Sequence, residues 1–169
     1  MLRDECEQDL TFMQIALQEA ARATAIGEVP IAALIVRDGN VLARSHNYRE
    51  VWQDPTAHAE ILVIRAAAAS LGTWRLTDTT LYVTVEPCAM CIGAIVLARI
   101  SRVVFGAWDT KAGACGSVFN LPVEPKLNHH VAVTGGICEA ESQALLQQFF
   151  RQLRSGPTQA DAVTTLPNS

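Results

Sequence analysis

The chain has 169 residues, of which 50% are hydrophobic and 18% charged, with a formal net charge of −4. That length suits one domain built on a single core. No run of about 18 apolar residues is present, which argues against a membrane span, and the acidic balance does not advertise nucleic-acid binding.

The N-terminus, Met1 to Asp9, is acidic and lacks an apolar stretch of signal-peptide type. With nothing pointing to export, a cytoplasmic location is expected. Residues 8–25 predict an amphipathic helix carrying Leu10, Met13, Leu17 and Ala20–Ala21 on one face, stopped by Gly27. Pro30 opens a strand over 31–36. Asp38-Gly39-Asn40 then predicts a hairpin into a second strand, 41–45. Residues 47–53 read as an irregular, partly aromatic loop. A helix is expected over 57–71, capped by Asp54 or Thr56 and ended by Gly72.

Strand character returns over 79–85. Glu86-Pro87 switches the chain into a third helix, to about residue 98, and a short buried strand follows at 102–106. Residues 109–128 look like loop. A fifth strand is expected at 130–134 and a last helix at 139–154. Residues 155–169 are polar, with two prolines, and suggest a disordered tail. A single domain is thus expected over 1–154. Helices interleaved with strands imply an α/β sandwich with a mixed sheet. Charge is uneven: residues 1–28 carry six acids and two bases, residues 98–154 six bases and four acids, so phosphate contacts are expected from the later part.

Five cysteines are present, and only Cys88 and Cys91 are close together. In a reducing compartment such a pair binds metal more readily than it forms a disulfide. Cys6, Cys115 and Cys138 read as ordinary free thiols. His58-Ala59-Glu60 precedes Pro87-Cys88-Ala89-Met90-Cys91 by about one helix and one strand. His58, Cys88 and Cys91 offer one imidazole and two thiolates, a donor set that suits zinc. Three protein ligands leave the fourth corner of a tetrahedron open for water, which indicates hydrolysis. Glu60, two residues from His58, is placed to carry protons. Both pairs fall in the first turns of helices, whose positive ends favour thiolates and anions. A lone Cys-x-x-Cys also fits a redox pair or half of a structural site, with Cys115 or Cys138 as a further donor. Neither of those two sits in a paired ligand motif.

The combination His-x-Glu followed by Pro-Cys-x-x-Cys is the general signature of zinc nucleobase deaminases. Beyond it, the chain resembles bacterial tRNA-specific adenosine deaminases of the cytidine-deaminase-like superfamily. The matching stretches are Glu28-Val29-Pro30, Asn47, residues 54–60, 81–91 and 102–107, Asp109 with Lys111, residues 113–117, Asn128-His129 and Phe149-Phe150-Arg151. They span about residues 8–154. The zinc motif specifies only the superfamily; residues 105–117 and the Phe149-Phe150-Arg151 end point to the tRNA branch.

The resemblance implies a three-layer α/β/α sandwich with a five-stranded mixed sheet, a homodimer, one zinc per subunit, and conversion of the wobble adenosine of a tRNA anticodon stem-loop to inosine. It implies His58, Cys88 and Cys91 as ligands and Glu60 as proton shuttle. It also implies Asn47, Asp109, His129, Phe149 and Phe150 as substrate or RNA contacts. Trp108 stands where the family commonly has a basic residue, and Leu153 replaces a cation of the last helix, so the basic footprint is softer than usual. Trp108 suits either stacking on a base or covering core or dimer surface. Two other functions fit the zinc motif: a free nucleoside, nucleotide or base deaminase acting on cytosine or guanine compounds, and a non-catalytic zinc-stabilised RNA-binding subunit. The second has no use for the Glu60 carboxylate.

Overall fold

The computed structural model describes residues 2–156. The elements are α1 (Leu2–Thr24), β1 (Ala32–Arg37), β2 (Asn40–His46), α2 (Arg49–Trp52), α3 (Ala59–Leu71), β3 (Thr80–Val85), α4 (Ala89–Leu97), β4 (Arg102–Ala107), β5 (Ala132–Thr134) and α5 (Glu139–Ser155). The five strands form one sheet in the order β2-β1-β3-β4-β5. β1 runs antiparallel to both β2 and β3, whereas β3, β4 and β5 run parallel to one another. The expected five-stranded mixed sheet is therefore present, with helices on both faces.

β1, β3 and β4 are buried along nearly their whole length. Successive strand residues point to opposite faces, so an unbroken apolar run means that both faces are covered. Ala33, Ile35, Leu81, Val83, Val103 and Phe105 pack on one side with α3 and α4. Leu34, Val36, Tyr82 and Val104 pack on the other with Phe12, Met13 and Ala16 of α1. α5 joins α1 on that second side and crosses β4 where Gly106 sits. A Cβ at Gly106 would fall onto the Ser142 hydroxyl and the Thr84 carbonyl, so only glycine admits the helix this close.

A buried ion pair fastens α1 to the sheet. Asp9, 3% exposed, receives two hydrogen bonds from the Arg102 guanidinium at 2.8 and 2.7 Å. Tyr82 donates a third, at 2.9 Å. Glu5 stands 3.5 Å from the same arginine. Removing one partner of such a pair strands the other in low dielectric. We expect Asp9→Ala to cost about 3 kcal/mol, the low end for a broken buried pair because Glu5 remains. The thermal midpoint should then fall by roughly 6–12 °C. A fall under 2 °C in a thermal melt would show that the pair does not anchor α1.

Several boundaries differ from the sequence reading. α1 begins at Leu2, six residues early, because Asp4 and Glu5 in its first turn complement the helix dipole. Its buried stripe is Phe12, Met13, Ala16 and Ala20, while Leu10 faces solvent. The expected irregular loop contains α2. α3 begins at Ala59 with His58 as its N-cap. Asp54 does not cap it; Asp54 instead accepts the backbone N–H and hydroxyl of Thr56 at 2.8 and 2.7 Å, closing a separate turn. β5 is trimmed to three residues, and a single 3-10 turn, Leu121–Val123, interrupts the expected loop. α5 extends through Ser155, and the rest of the expected tail, 157–169, lies outside the described residues. No helix among the described residues is long and apolar enough to cross a membrane.

Candidate metal and catalytic centre

Ligand sites of α/β sheets gather at the carboxyl ends of parallel strands, and the candidate residues gather there. β3 ends in Val85 and continues through Glu86 and Pro87 to Cys88, the N-cap of α4. β4 ends beside it, and the Glu86 N–H donates to the Ala107 carbonyl at 2.8 Å. β1 is antiparallel to β3, so its start, with Ile31 and Val29 before it, lies at the same end. The N-terminus of α3 completes the ring and brings His58 and Glu60.

His58 Nδ1 lies 3.8 Å from Cys88 Sγ and 3.6 Å from Cys91 Sγ. All three donor atoms fall within 4.8 Å of one another. A tetrahedral zinc with bonds of about 2.3 Å to sulfur and about 2.0 Å to nitrogen separates such donors by roughly 3.5 Å. The spacing and the soft-to-borderline donor chemistry both fit that ion. Neither Cys115 nor Cys138 joins the group among the described residues, so no closed four-donor set is formed from them.

The electrostatics are those of a crowded, half-buried cluster. Hydrogen bonding with Cys91, and then with His58, holds the Cys88 thiol down at about 4 against the opposing effect of burial. Cys91, which is fully buried, is pushed up by its contact with Cys88 and by burial. The Cys88 contact also raises His58. Glu60 is pushed up by burial, because its charged form loses water. A bound cation inverts this local logic and deprotonates coordinating thiols.

A cleft of about 420 Å³ opens over these groups, within the roughly 300–1,000 Å³ usual for small-ligand sites. His58, Glu60, Cys88, Asn47, Asp109 and Phe150 all line it. Cys91 lies beneath. Two expected contacts stand elsewhere. Phe149 is buried, 5% exposed, and meets Phe150 edge-on at 5.4 Å. His129 donates from Nε2 to the Ile100 carbonyl at 2.7 Å and does not line the cleft. Trp108 packs edge-on against Phe105 at 4.8 Å and lies over Gly135, so much of its ring covers protein.

A second groove continues from the cleft through Lys111 and Phe150, which line both. Arg151 and Arg154 of α5 line the rest of it. These cations give the acidic chain a local basic strip.

Asn47 does more than line the cleft. Its Oδ1 accepts the Ala59 N–H at 2.9 Å, satisfying one of the free donors at the α3 N-terminus. That bond fixes the helix start that carries Glu60. Two carboxylates with comparable holding roles escaped sequence reasoning. Glu28, fully buried, accepts the Val51 N–H at 2.7 Å and so pins α2, whose Arg49 reaches the cleft. Glu86 accepts backbone N–H bonds from Asp109, Cys115 and Ser117 at 2.9, 2.9 and 3.0 Å, and a further bond from the Ser117 hydroxyl. Burial alone would raise the Glu86 pKa, but these donors outweigh it and hold the carboxyl below the usual range. The available signal was an acid set among apolar residues beside a proline, Glu28-Val29-Pro30 and Val85-Glu86-Pro87.

Comparison with known proteins agrees with this geometry. A family model described as MafB19-like deaminase matches residues 7–154. The tRNA-specific adenosine deaminase of Bacillus subtilis (strain 168) is 51% identical over 147 residues, covering 87% of this chain and 91% of that protein. The enzyme of the same name from Aquifex aeolicus is 48% identical, covering 85% of this chain and 95% of that protein. Among solved structures, one from a study of A-to-I editing by tRNA:A34 deaminases superposes with a TM-score of 0.78 at 48% identity, covering 80% of this chain and 99% of that one. The guanine deaminase of Bacillus subtilis superposes with a TM-score of 0.58 at 31% identity, covering 89% and 96%. The sheet and its flanking helices are the cytidine-deaminase-like fold these structures share. The chain belongs to the MafB19-like deaminase family, in its tRNA-specific adenosine deaminase branch.

Proposed function

We propose that this chain deaminates the wobble adenosine of a tRNA anticodon stem-loop to inosine, as a zinc enzyme acting through one domain over residues 1–154. The observation that carries the reading is the junction of two features. A His58–Cys88–Cys91 cluster beside Glu60 forms the floor of a base-sized cleft, and the cleft runs on into a groove lined by Lys111, Arg151 and Arg154. A free base needs only the first; a polynucleotide uses both.

His58, Cys88 and Cys91 would hold one zinc per subunit, and when bound the ion supplies Lewis-acid activation of water at neutral pH. Glu60 takes one proton from the attacking water and delivers it to the purine ring nitrogen, then carries the second, from the new hydroxyl on the attacked carbon, to the departing amine, so that the C–O bond forms, the C–N bond breaks and ammonia leaves. The adenine must be splayed out of the loop to reach this depth. Asn47 has its oxygen committed to Ala59, so what it offers the substrate is its amide N–H donors. Lys111, Arg151 and Arg154 meet phosphates, which position the RNA. Phe150 presents a ring for a base to stack on, and Phe149 braces it from the protein side. Asp109 accepts from a ribose hydroxyl at the rim. His129 acts at one remove, by tying residues 128–130 to Ile100.

A tRNA substrate calls for a cytoplasmic location. Two copies pair through the α3–α4 face, where Trp74 and Leu97 are 55% and 73% exposed beside Ile64, Ala68 and Ala94. Light scattering should give twice the 18.3 kDa chain mass, and Leu97→Glu should shift the population toward monomer. A parent protein that is monomeric at micromolar concentration would remove the pairing.

The functional test is incubation of the zinc-loaded protein with a wobble-adenosine anticodon hairpin, cytidine and guanine in parallel, with inosine detection and metal analysis. Inosine should form on the hairpin alone. Deamination of guanine or cytidine without the hairpin would replace this reading with a free-base or nucleoside enzyme. Stoichiometric zinc with no deamination at all would leave an RNA-binding subunit.

A further inference from the structure

We propose that Glu86 is a positioning residue for RNA: its buried carboxylate fixes the 109–117 loop, and with it Asp109 and Lys111, against the helix start that carries Cys88 and Cys91. The inference rests on the RNA-deaminase reading above and adds the device that couples its two halves.

The geometry is specific. Glu86 is 3% exposed, yet among the described residues it makes no ion pair. Its Oε1 accepts the N–H groups of Cys115 and Ser117 at 2.9 and 3.0 Å. Its Oε2 accepts the Asp109 N–H at 2.9 Å and the Ser117 hydroxyl. Four donors therefore converge on one carboxylate from both ends of a single loop. That loop is also laced to the residues that follow Glu86: Ala114 N–H donates to the Pro87 carbonyl at 2.8 Å, and Cys88 and Gly113 form a bridge. Gly113 is glycine because a Cβ there would fall onto the Glu86 carboxylate.

The loop so held is no bystander. Asp109, Lys111 and Ala112 line the cleft with His58 and Glu60, and Lys111 stands where the cleft opens into the basic groove. Asp109 in turn accepts the N–H groups of Lys111 and Ala112 at 2.9 and 3.2 Å, so a shift at Asp109 moves the whole rim. An apolar residue at 86 could fill the same space, but it would leave four buried or half-buried donors unpaired. A misplacement of about 1 Å at a substrate-positioning group can cost roughly 100-fold in rate.

Glu86→Gln tests this with directional detail. An amide has one acceptor oxygen. Keeping it toward Cys115 and Ser117 preserves two bonds and turns an NH2 group toward the Asp109 N–H, donor against donor. The Asp109 end should therefore loosen first. In the zinc-loaded protein, hydrogen exchange should accelerate at residues 109–112 and stay unchanged at 115–117 and at the starts of α3 and α4. Zinc content should remain at the parent level. On the wobble-adenosine hairpin, kcat/KM should fall about 10- to 100-fold, chiefly through KM. Combined with Asp109→Ala, the double variant should be within about twofold of the worse single, since both remove one function.

Effects that multiply in the double variant would overturn the proposal. So would a kcat/KM within twofold of the parent, exchange that rises uniformly, or loss of zinc. Should Glu86→Gln not fold, Ser117→Ala removes one of the four donors, and the same cycle applies with an expected loss of about threefold. A parent enzyme that leaves the hairpin untouched would sink the RNA-deaminase reading instead, and the exchange pattern would still decide whether Glu86 holds the rim.

Discussion

Glu60→Gln should bind zinc at the parent's stoichiometry and deaminate the anticodon hairpin about a thousandfold more slowly. General acid–base catalysis by one side chain contributes roughly 10²–10⁴, and Glu60 lines the cleft two residues from His58, whereas the other carboxyls there, Glu86 and Asp109, already accept backbone N–H bonds. The amide keeps the shape of the side chain but can neither accept a proton nor return one. Because Glu60 is 4% exposed, the neutral variant also avoids burying a charge, so its thermal midpoint should not fall. The loss should appear in kcat more than in KM, since a proton shuttle acts in the transition state. A zinc-loaded Glu60→Gln protein with kcat within tenfold of the parent would end the shuttle assignment. That outcome would count equally against the free-base reading and the RNA reading, because both need the same proton traffic.

The second large effect concerns the metal. Cys91→Ala should weaken zinc binding by more than about 100-fold, since residues that only orient a ligand already cost 10- to 100-fold. Activity at limiting zinc should disappear with it. Binding that favours the folded state stabilises it by about 4 kcal/mol when the ion is present at roughly a thousand times its dissociation constant. Losing that contribution should lower the thermal midpoint by roughly 10 °C, and the parent treated with a chelator should fall by a similar amount. Cys91 is a sharp choice because it is fully buried at the bottom of the cluster, where a water cannot easily take its place. Cys6, exposed on α1, supplies the control: Cys6→Ser should leave zinc content and melting unchanged. A Cys91→Ala protein that retains stoichiometric zinc through dialysis would show that the donors lie elsewhere.

These two variants separate the chemistry from its placement. In the proposed mechanism Glu60 and Cys91 serve the floor of the cleft. Asp109, Lys111 and Phe150 lie at its rim, on the loop that Glu86 holds and on α5. Changes at the floor should alter turnover for any substrate, and changes at the rim should alter which substrate is productive.

Much of this architecture is legible in the chain. Strand alternation and helix spacing are local properties, written into residues a few positions apart. They are enough to place β1, β3 and β4, the helices between them, and the motif that gathers His58, Glu60, Cys88 and Cys91 at helix starts. The element order then limits the sheet to a mixed one. Where local signals are short, the reading slips. α2 has only four residues and no helical pattern of its own; it exists because Glu28 reaches across 23 positions to its Val51 N–H. Local sequence points to Asp54 or Thr56 as the α3 cap, but the Ala59 N–H is taken by Asn47, 12 residues away.

The sequence by itself marked the candidate donor set, the acid beside it and the order of the strands and longer helices, because each is encoded in spacing along the backbone. Only the tertiary structure decided that Asp9 would meet Arg102 across 93 positions, that Glu86 would hold the rim, and that Phe150 would reach the cleft while adjacent Phe149 turned inward. Neighbouring helix residues differ by about 100° in direction, and which direction faces substrate depends on how α5 lies across Gly106. A charge pairs with whatever the folded path brings within a few ångströms, and that path is a property of the whole packed chain.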